Sequence, residues 1–148
     1  MNALRRFFFQ SDTGPPSIFV IRLAVGLIFF TQGLLKFTDP KMGVERFTRI
    51  GFPQPAFTAH FVGCFEIVCG ALVLLGLWTR LAAIPLFLII STAIASTKLP
   101  ELTHPQGFWF VVSDARTDFA MICSLIFLIL SGGGAWSLHK SNSSFRTQ

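Results

Sequence analysis

Four polar side chains sit in stretches otherwise apolar enough to enter a membrane. RLAVGLIFFTQGLLKF carries Arg22, Gln32 and Lys36, and FVGCFEIVCGALVLL carries Glu66 near its middle. Placing a charge at the centre of hydrocarbon costs about 2.5–3.5 kcal/mol even on the mildest insertion scales, so these groups must be solvated, paired or used. A carboxylate in such a place can relay a proton. Ammonium, guanidinium and amide groups can donate hydrogen bonds to a carbonyl oxygen.

Their spacing gathers them. At about 100° per residue, Arg22, Gly26, Phe29, Gly33 and Lys36 share one helix face, with Gln32 at its margin. Gly63, Glu66, Gly70 and Val73 make a similar face on a second helix. Glycines at this spacing let another helix approach closely, so both faces are expected to look into a bundle. Depth then suggests partners. Gln32 and Lys36 lie level with Asp118 and Asp114 at the start of a later helix, which makes Lys36 with Asp118 the nearer pair. Arg22 lies at the other end, roughly 9 Å in depth from Glu66 at 1.5 Å per residue, within reach of a long guanidinium. Snorkelling to the headgroups is the competing fate for Arg22 and Lys36, whereas Glu66, about eleven residues from either end, has no such escape.

His60, Lys98 and His104 belong to the same end as Lys36. The histidines read as interfacial polar residues or hydrogen-bond donors, because no spaced Cys or His accompanies them, and no metal site is expected. Cys64, Cys69 and Cys123 all lie inside apolar runs and read as small packing residues. Cys69, three residues beyond Glu66, is a secondary site candidate.

The elements that position these groups follow from composition. The 148 residues are 52% hydrophobic and 13% charged, the wrong balance for a water-soluble domain. Eighteen Phe and no Tyr fill apolar volume, and Trp78, Trp109 and Trp136 sit at the edges of apolar runs, where interface anchors belong. The net charge of +5 is spread between the runs without a nucleic-acid recognition motif, so nucleic acid is not an expected partner and the lipid bilayer is.

Four apolar runs, at about 17–37, 55–77, 81–98 and 115–130, are each near the roughly 20 residues needed to cross a bilayer. The expected fold is an all-α integral membrane protein, with four transmembrane helices in an antiparallel bundle over 17–138. A basic tail, 1–16, precedes it and a polar, disordered tail, 139–148, follows. The twin arginine of LRRFFFQS is followed by no small-residue cleavage site, so the first helix reads as retained. GPPS and GFPQP start helices, GLWTR makes a tight hairpin, and PELTHPQGFWFVVSDAR reads as an interfacial connection. Pro85 should kink the third helix. Orientation is not legible from charge: Arg5, Arg6, Arg80, Lys140 and Arg146 flank one side, and Lys41, Arg46, Arg49, Lys98 and Arg116 flank the other.

RLAVGLIFFTQGLLKF, FEIVCGALVLLGLWTRLAA, HPQGFWF and DFAMICSLIFLILSGGGAWSL, taken in order, resemble the DoxX family of small bacterial and archaeal membrane proteins, from about Arg22 to Leu138. The resemblance implies four transmembrane helices, a cytoplasmic (inner) membrane location and cytoplasmic termini. It also draws attention to Arg80 in the hairpin and to Asp118 as the acid near the start of the fourth helix. Where the family often has an acid after the closing Ser-Leu, this chain has His139. Some relatives are subunits of quinone-linked oxidoreductases, and others are associated with resistance to thiols, oxidants or electrophiles.

The leading functional expectation is therefore a membrane subunit that holds a quinone or similar lipophilic redox ligand inside the bundle and supports a partner oxidoreductase subunit. Gln32, Lys36 and His60 would be donors, and Glu66 or Asp118 a proton relay. With no flavin, haem or metal motif in the sequence, a stand-alone enzyme is not expected. A non-catalytic assembly scaffold is the alternative. A small-solute transporter is weaker still, since four helices make a small pathway unless a homo-oligomer forms, and no inverted repeat is visible.

Overall fold

The computed structural model describes residues 14–101, 108–134 and 136–138. Among these there are helices and turns and no strand. The helices are α1 (Ile18–Thr38), α2 (Val44–Ile50), α3 (Pro55–Leu75), α4 (Thr79–Glu101) and α5 (Phe108–Ser131). Residues 1–13 of the basic tail, the polar tail 139–148 and His104 lie outside the described residues.

Local chemistry sets the helix ends. α1 opens on i to i+3 bonds from Ile18 and Phe19 to the carbonyls of Pro15 and Pro16. It stops at Thr38 because Asp39 precedes a proline, which pushes it out of the α region into an extended conformation. The Asp39 carboxylate then accepts the amide of Lys41, closing a turn that leads into α2. α3 starts with Pro55 in its first turn, where a missing N–H costs nothing. It ends on Gly76, in the left-handed region at φ 71°, with Leu77 N–H donating back to Leu72. Only three residues then separate α3 from α4.

α1, α3 and α4 are each long and apolar enough to cross a membrane, and the 21 residues of α1 and of α3 span about 32 Å each. α5 has 24 residues and meets the length, but it carries Asp114, Arg116 and Asp118 in its first half. Around the bundle, Val20, Leu27, Phe57, Phe61, Leu88, Phe119 and Leu130 point outward, an apolar girdle suited to acyl chains. Inside, Val25, Val73, Ala83, Leu86, Leu125 and Leu128 are fully buried. α1 packs chiefly on α3, α4 on α5, and the two pairs close on this core.

Two elements depart from the sequence-based expectation. The stretch read as an interfacial connection is mostly helical: α4 runs to Glu101 and α5 begins at Phe108, seven residues before the expected start. Polar residues at a helix end look like loop to a hydropathy window, although their backbone bonds are satisfied in the helix. The short α2 was not expected at all.

Candidate functional site

The site is built on the contact between α1 and α3, which cross where neither helix has a side chain. A Cβ placed on Gly26 would lie 3.0 Å from the Gly70 carbonyl oxygen, and one on Gly33 would lie 2.8 Å from that of Gly63. The backbones touch at two levels, and these fix an antiparallel register in which residue numbers at one level sum to 96. Glu66 is thus level with Phe30, and Lys36 is six residues, about 9 Å, from that level.

The charged atoms nevertheless meet. Lys36 Nζ donates to Glu66 Oε2 at 2.5 Å, with the two side chains only 10% and 5% exposed. Helical side chains tilt toward the N-terminus of their own helix. In an antiparallel pair this leans Lys36 inward and Glu66 toward it. Lys36 therefore pairs with Glu66, not with Asp118, and it points into the bundle instead of snorkelling out.

The same tilt carries Arg22 the other way. Arg22 is 1% exposed, and its guanidinium sits at the hairpin end of the bundle. Nε donates to Val73 O at 3.0 Å and Nη2 to Leu74 O at 2.8 Å, while Nη1 donates to Gly133 O at 2.8 Å and Trp136 O at 3.1 Å. Arg22 does not reach Glu66. It caps the last carbonyls of α3 and ties them to the segment after α5, a task suited to a cation at a helix C-terminus.

Beside the Lys36–Glu66 pair lies a cavity of about 330 Å³ that all five helices line. α1 contributes Gln32 and Lys36, α3 contributes Glu66, α5 contributes Asp118, and α2 contributes Arg46. α4 adds the hydroxyl residues Thr92, Ser96 and Thr97, whose side chains donate to carbonyls of their own helix. The remaining wall is mostly apolar, with Phe29, Phe47, Phe52 and Val62 among its side chains, and Thr58 and Thr117 add two further hydroxyl residues. On α5 the neighbouring acid, Asp114, is instead held by Lys98 of α4.

Of the sequence-derived candidates, Gln32, Lys36, Glu66 and Asp118 come together here. The others do not. His60 is exposed, its Nδ1 2.6 Å from Ala56 O and its ring packed 5.1 Å from Phe37. Cys69 is buried in the hydrophobic core. Arg80 is buried at the first turn of α4, by the hairpin and away from the cavity. Among the described residues no three His, Cys, Asp or Glu groups could hold a metal ion.

Sequence reasoning passed over Arg46, having counted it only as a loop cation. The signal was present in VERFTRI: Val44, Phe47 and Ile50 recur every three residues, and Gly43 and Gly51 bracket them. Gly51 sits at φ 85°, and a side chain on Gly43 would collide with the Lys36 carbonyl oxygen. Both glycines are needed to fold α2 back over the cavity with Arg46, Phe47 and Ile50 facing in. Chemically, the cavity offers an apolar slot, donors in Gln32, Lys36 and Arg46, and acceptors in Glu66 and Asp118. That suits a flat, largely apolar molecule bearing carbonyl or hydroxyl oxygens.

Comparison with known proteins places these residues in context. The family described as DoxX matches residues 17–99, which include α1, α2 and α3 and nearly all of α4. An uncharacterized membrane protein of Mycobacterium tuberculosis is 50% identical over 133 residues, covering 86% of this chain and 82% of its own. CatD of Bacillus subtilis, whose name assigns it provisionally to the oxidoreductases, is 30% identical over 76% of this chain and 77% of its own. The inner membrane protein YphA of Escherichia coli is 29% identical over 95% of this chain and 99% of its own. No solved structure matches.

Proposed function

The chain belongs to the DoxX family, and on that footing we propose that it is a membrane accessory or subunit of an oxidoreductase system, holding a quinone or similar lipophilic redox ligand in the cavity beside Lys36 and Glu66. The observation that carries this reading is the convergence of Gln32, Lys36, Arg46, Glu66 and Asp118 on one apolar-walled space of about 330 Å³. That volume lies at the small end of the roughly 300–1,000 Å³ of ligand sites, enough for a ring headgroup. CatD's name is consistent with a redox setting.

A bound quinone would supply the exchange between carbonyl and hydroxyl oxygens, with electrons delivered by a partner chain. The residues of this chain bind and orient. Gln32 and Arg46 donate to carbonyl oxygens, the Glu66 or Asp118 carboxylate takes up and passes on a proton, and the phenylalanines line the slot. The same reading takes α5 as the fourth span, places the protein in the cytoplasmic membrane and puts both termini on the cytoplasmic side. The test is direct: purify the protein from membranes, extract and identify bound quinones, and repeat with Glu66→Gln. Bound quinone in the wild type and its loss in the variant, with the fold intact by circular dichroism, is the expected result. Quinone no more abundant than in the surrounding lipid would overturn the reading.

The closure of Lys36 on Glu66 favours a second reading, a non-catalytic scaffold whose polar interior specifies helix pairing. On that account Glu66→Gln leaves redox support in cells unchanged wherever the bundle still assembles.

A further inference from the structure

The charges around the cavity narrow the ligand further, granted the reading of the cavity as a ligand site. Lys36 and Arg46 bring two positive charges, and Glu66 and Asp118 bring two negative ones. The sum is zero, and a proton moving between Lys36 and Glu66 leaves it so. Lys36 and Glu66 engage each other. Among the described residues no hydrogen bond or ion pair engages the side chains of Gln32, Arg46 or Asp118, although all three line the space.

We infer that the cavity selects an electrically neutral ligand carrying a hydrogen-bond acceptor for Arg46 and Gln32 and, at a separate position, a hydroxyl donor for Asp118, the pattern of a hydroxylated cyclic carbonyl compound. A neutral molecule adds no charge to a balanced, apolar-walled space. An anionic amphiphile, a fatty carboxylate or a lipid phosphate, would satisfy Arg46 but leave the cavity with one negative charge in excess, beside the carboxylates of Glu66 and Asp118. A plain ketone would leave Asp118 unanswered. A hydroxyl facing a carboxylate makes a charge-assisted hydrogen bond, strong enough to raise affinity about tenfold.

Calorimetric titration of the full chain in lipid nanodiscs at neutral pH tests this with three bicyclic probes of similar size: 1-tetralone (acceptor only), 5-hydroxy-1-tetralone (acceptor and donor) and 1-naphthoate (anion). Empty nanodiscs supply the partition background. The expected order is the hydroxytetralone about tenfold tighter than tetralone, with naphthoate weakest. Asp118→Leu, which removes the acceptor altogether, should erase the advantage of the hydroxyl and, by leaving the cavity one positive charge in excess, raise naphthoate above tetralone. Arg46→Gln should weaken both tetralones and abolish naphthoate binding while keeping the hydroxyl preference. A hydroxyl preference that survives Asp118→Leu, tetralones bound without such a preference, or naphthoate binding best to the wild type overturns the inference and leaves the ligand site standing. Failure of all three probes to saturate overturns the ligand-site reading, and this inference with it.

Discussion

A Cβ added to Gly33 would stand 2.8 Å from the carbonyl oxygen of Gly63, closer than side-chain carbon is found to backbone oxygen. The α1 and α3 backbones are therefore in contact at this level, three residues from both Lys36 and Glu66. The spacing of the two charged groups depends on that absence of a side chain. Gly33→Ala is expected to push the helices apart and cost about 1–3 kcal/mol, as overpacking does. Unfolding of the variant in mixed micelles should show the loss, and ligand affinity should fall as the pair separates.

Breaking the Lys36–Glu66 pair should cost more than removing it. Lys36→Met and Glu66→Leu singly each strand a buried charge, at about 3–5 kcal/mol, whereas the double variant leaves an apolar contact and recovers most of that loss. A double-mutant cycle on unfolding free energy checks this. Additive single effects would show that the groups do not meet.

Arg22 serves stability at the end away from the cavity. Arg22→Met abandons four donated hydrogen bonds, with a cost of at least about 3 kcal/mol from stranded carbonyls. Arg22→Lys should rescue only partly, because an ammonium cannot reproduce the guanidinium fork. Thermal unfolding in nanodiscs reads both. Probe affinity measured below the transition should stay within about twofold of wild type, since a contact at the hairpin end adds nothing to the ligand's own interactions.

Gly76 faces that guanidinium at φ 71°, and a side chain there would collide with Arg22. Gly76→Ala meets both left-handed strain and the clash, so a cost above about 1 kcal/mol is expected. Combining it with Arg22→Met should be less damaging than the sum of the two, a coupling visible in the same melts.

A carbene-generating probe dissolved in the bilayer should mark what faces lipid. Phe57, Phe61, Phe65 and Val68 on α3, and Phe119, Ile126 and Leu130 on α5, are exposed in the bundle and should carry label by mass spectrometry. Val25, Val73 and Leu125 should not. Absence of label from α5 would show that this helix does not span.

The two glycine-bearing faces were legible in the sequence because they follow from helical period alone: Gly26 and Gly33 with Lys36, and Gly63 and Gly70 with Glu66. So were the membrane setting, the α3–α4 hairpin and the inward orientation of Glu66. The partners were not. Estimating depth at 1.5 Å per residue treats side chains as if they stood straight out from the axis, and this favoured Lys36 with Asp118 and Arg22 with Glu66. The N-terminal tilt of helical side chains reverses both, leaning Lys36 toward Glu66 and carrying Arg22 away toward the ends of α3 and α5. Arg46 was illegible for another reason: seven residues between two glycines are too few to stand out in a hydropathy window.

By itself, then, the sequence determined which residues could not face lipid, since burying a charge or exposing a glycine seam is a local cost that each helix carries alone. Tertiary structure decided which of those residues meet. That depends on the register of α1 against α3 and on the fold-back of α2. Both are set by backbone contact between residues far apart in the chain, where no period in a single helix can report them.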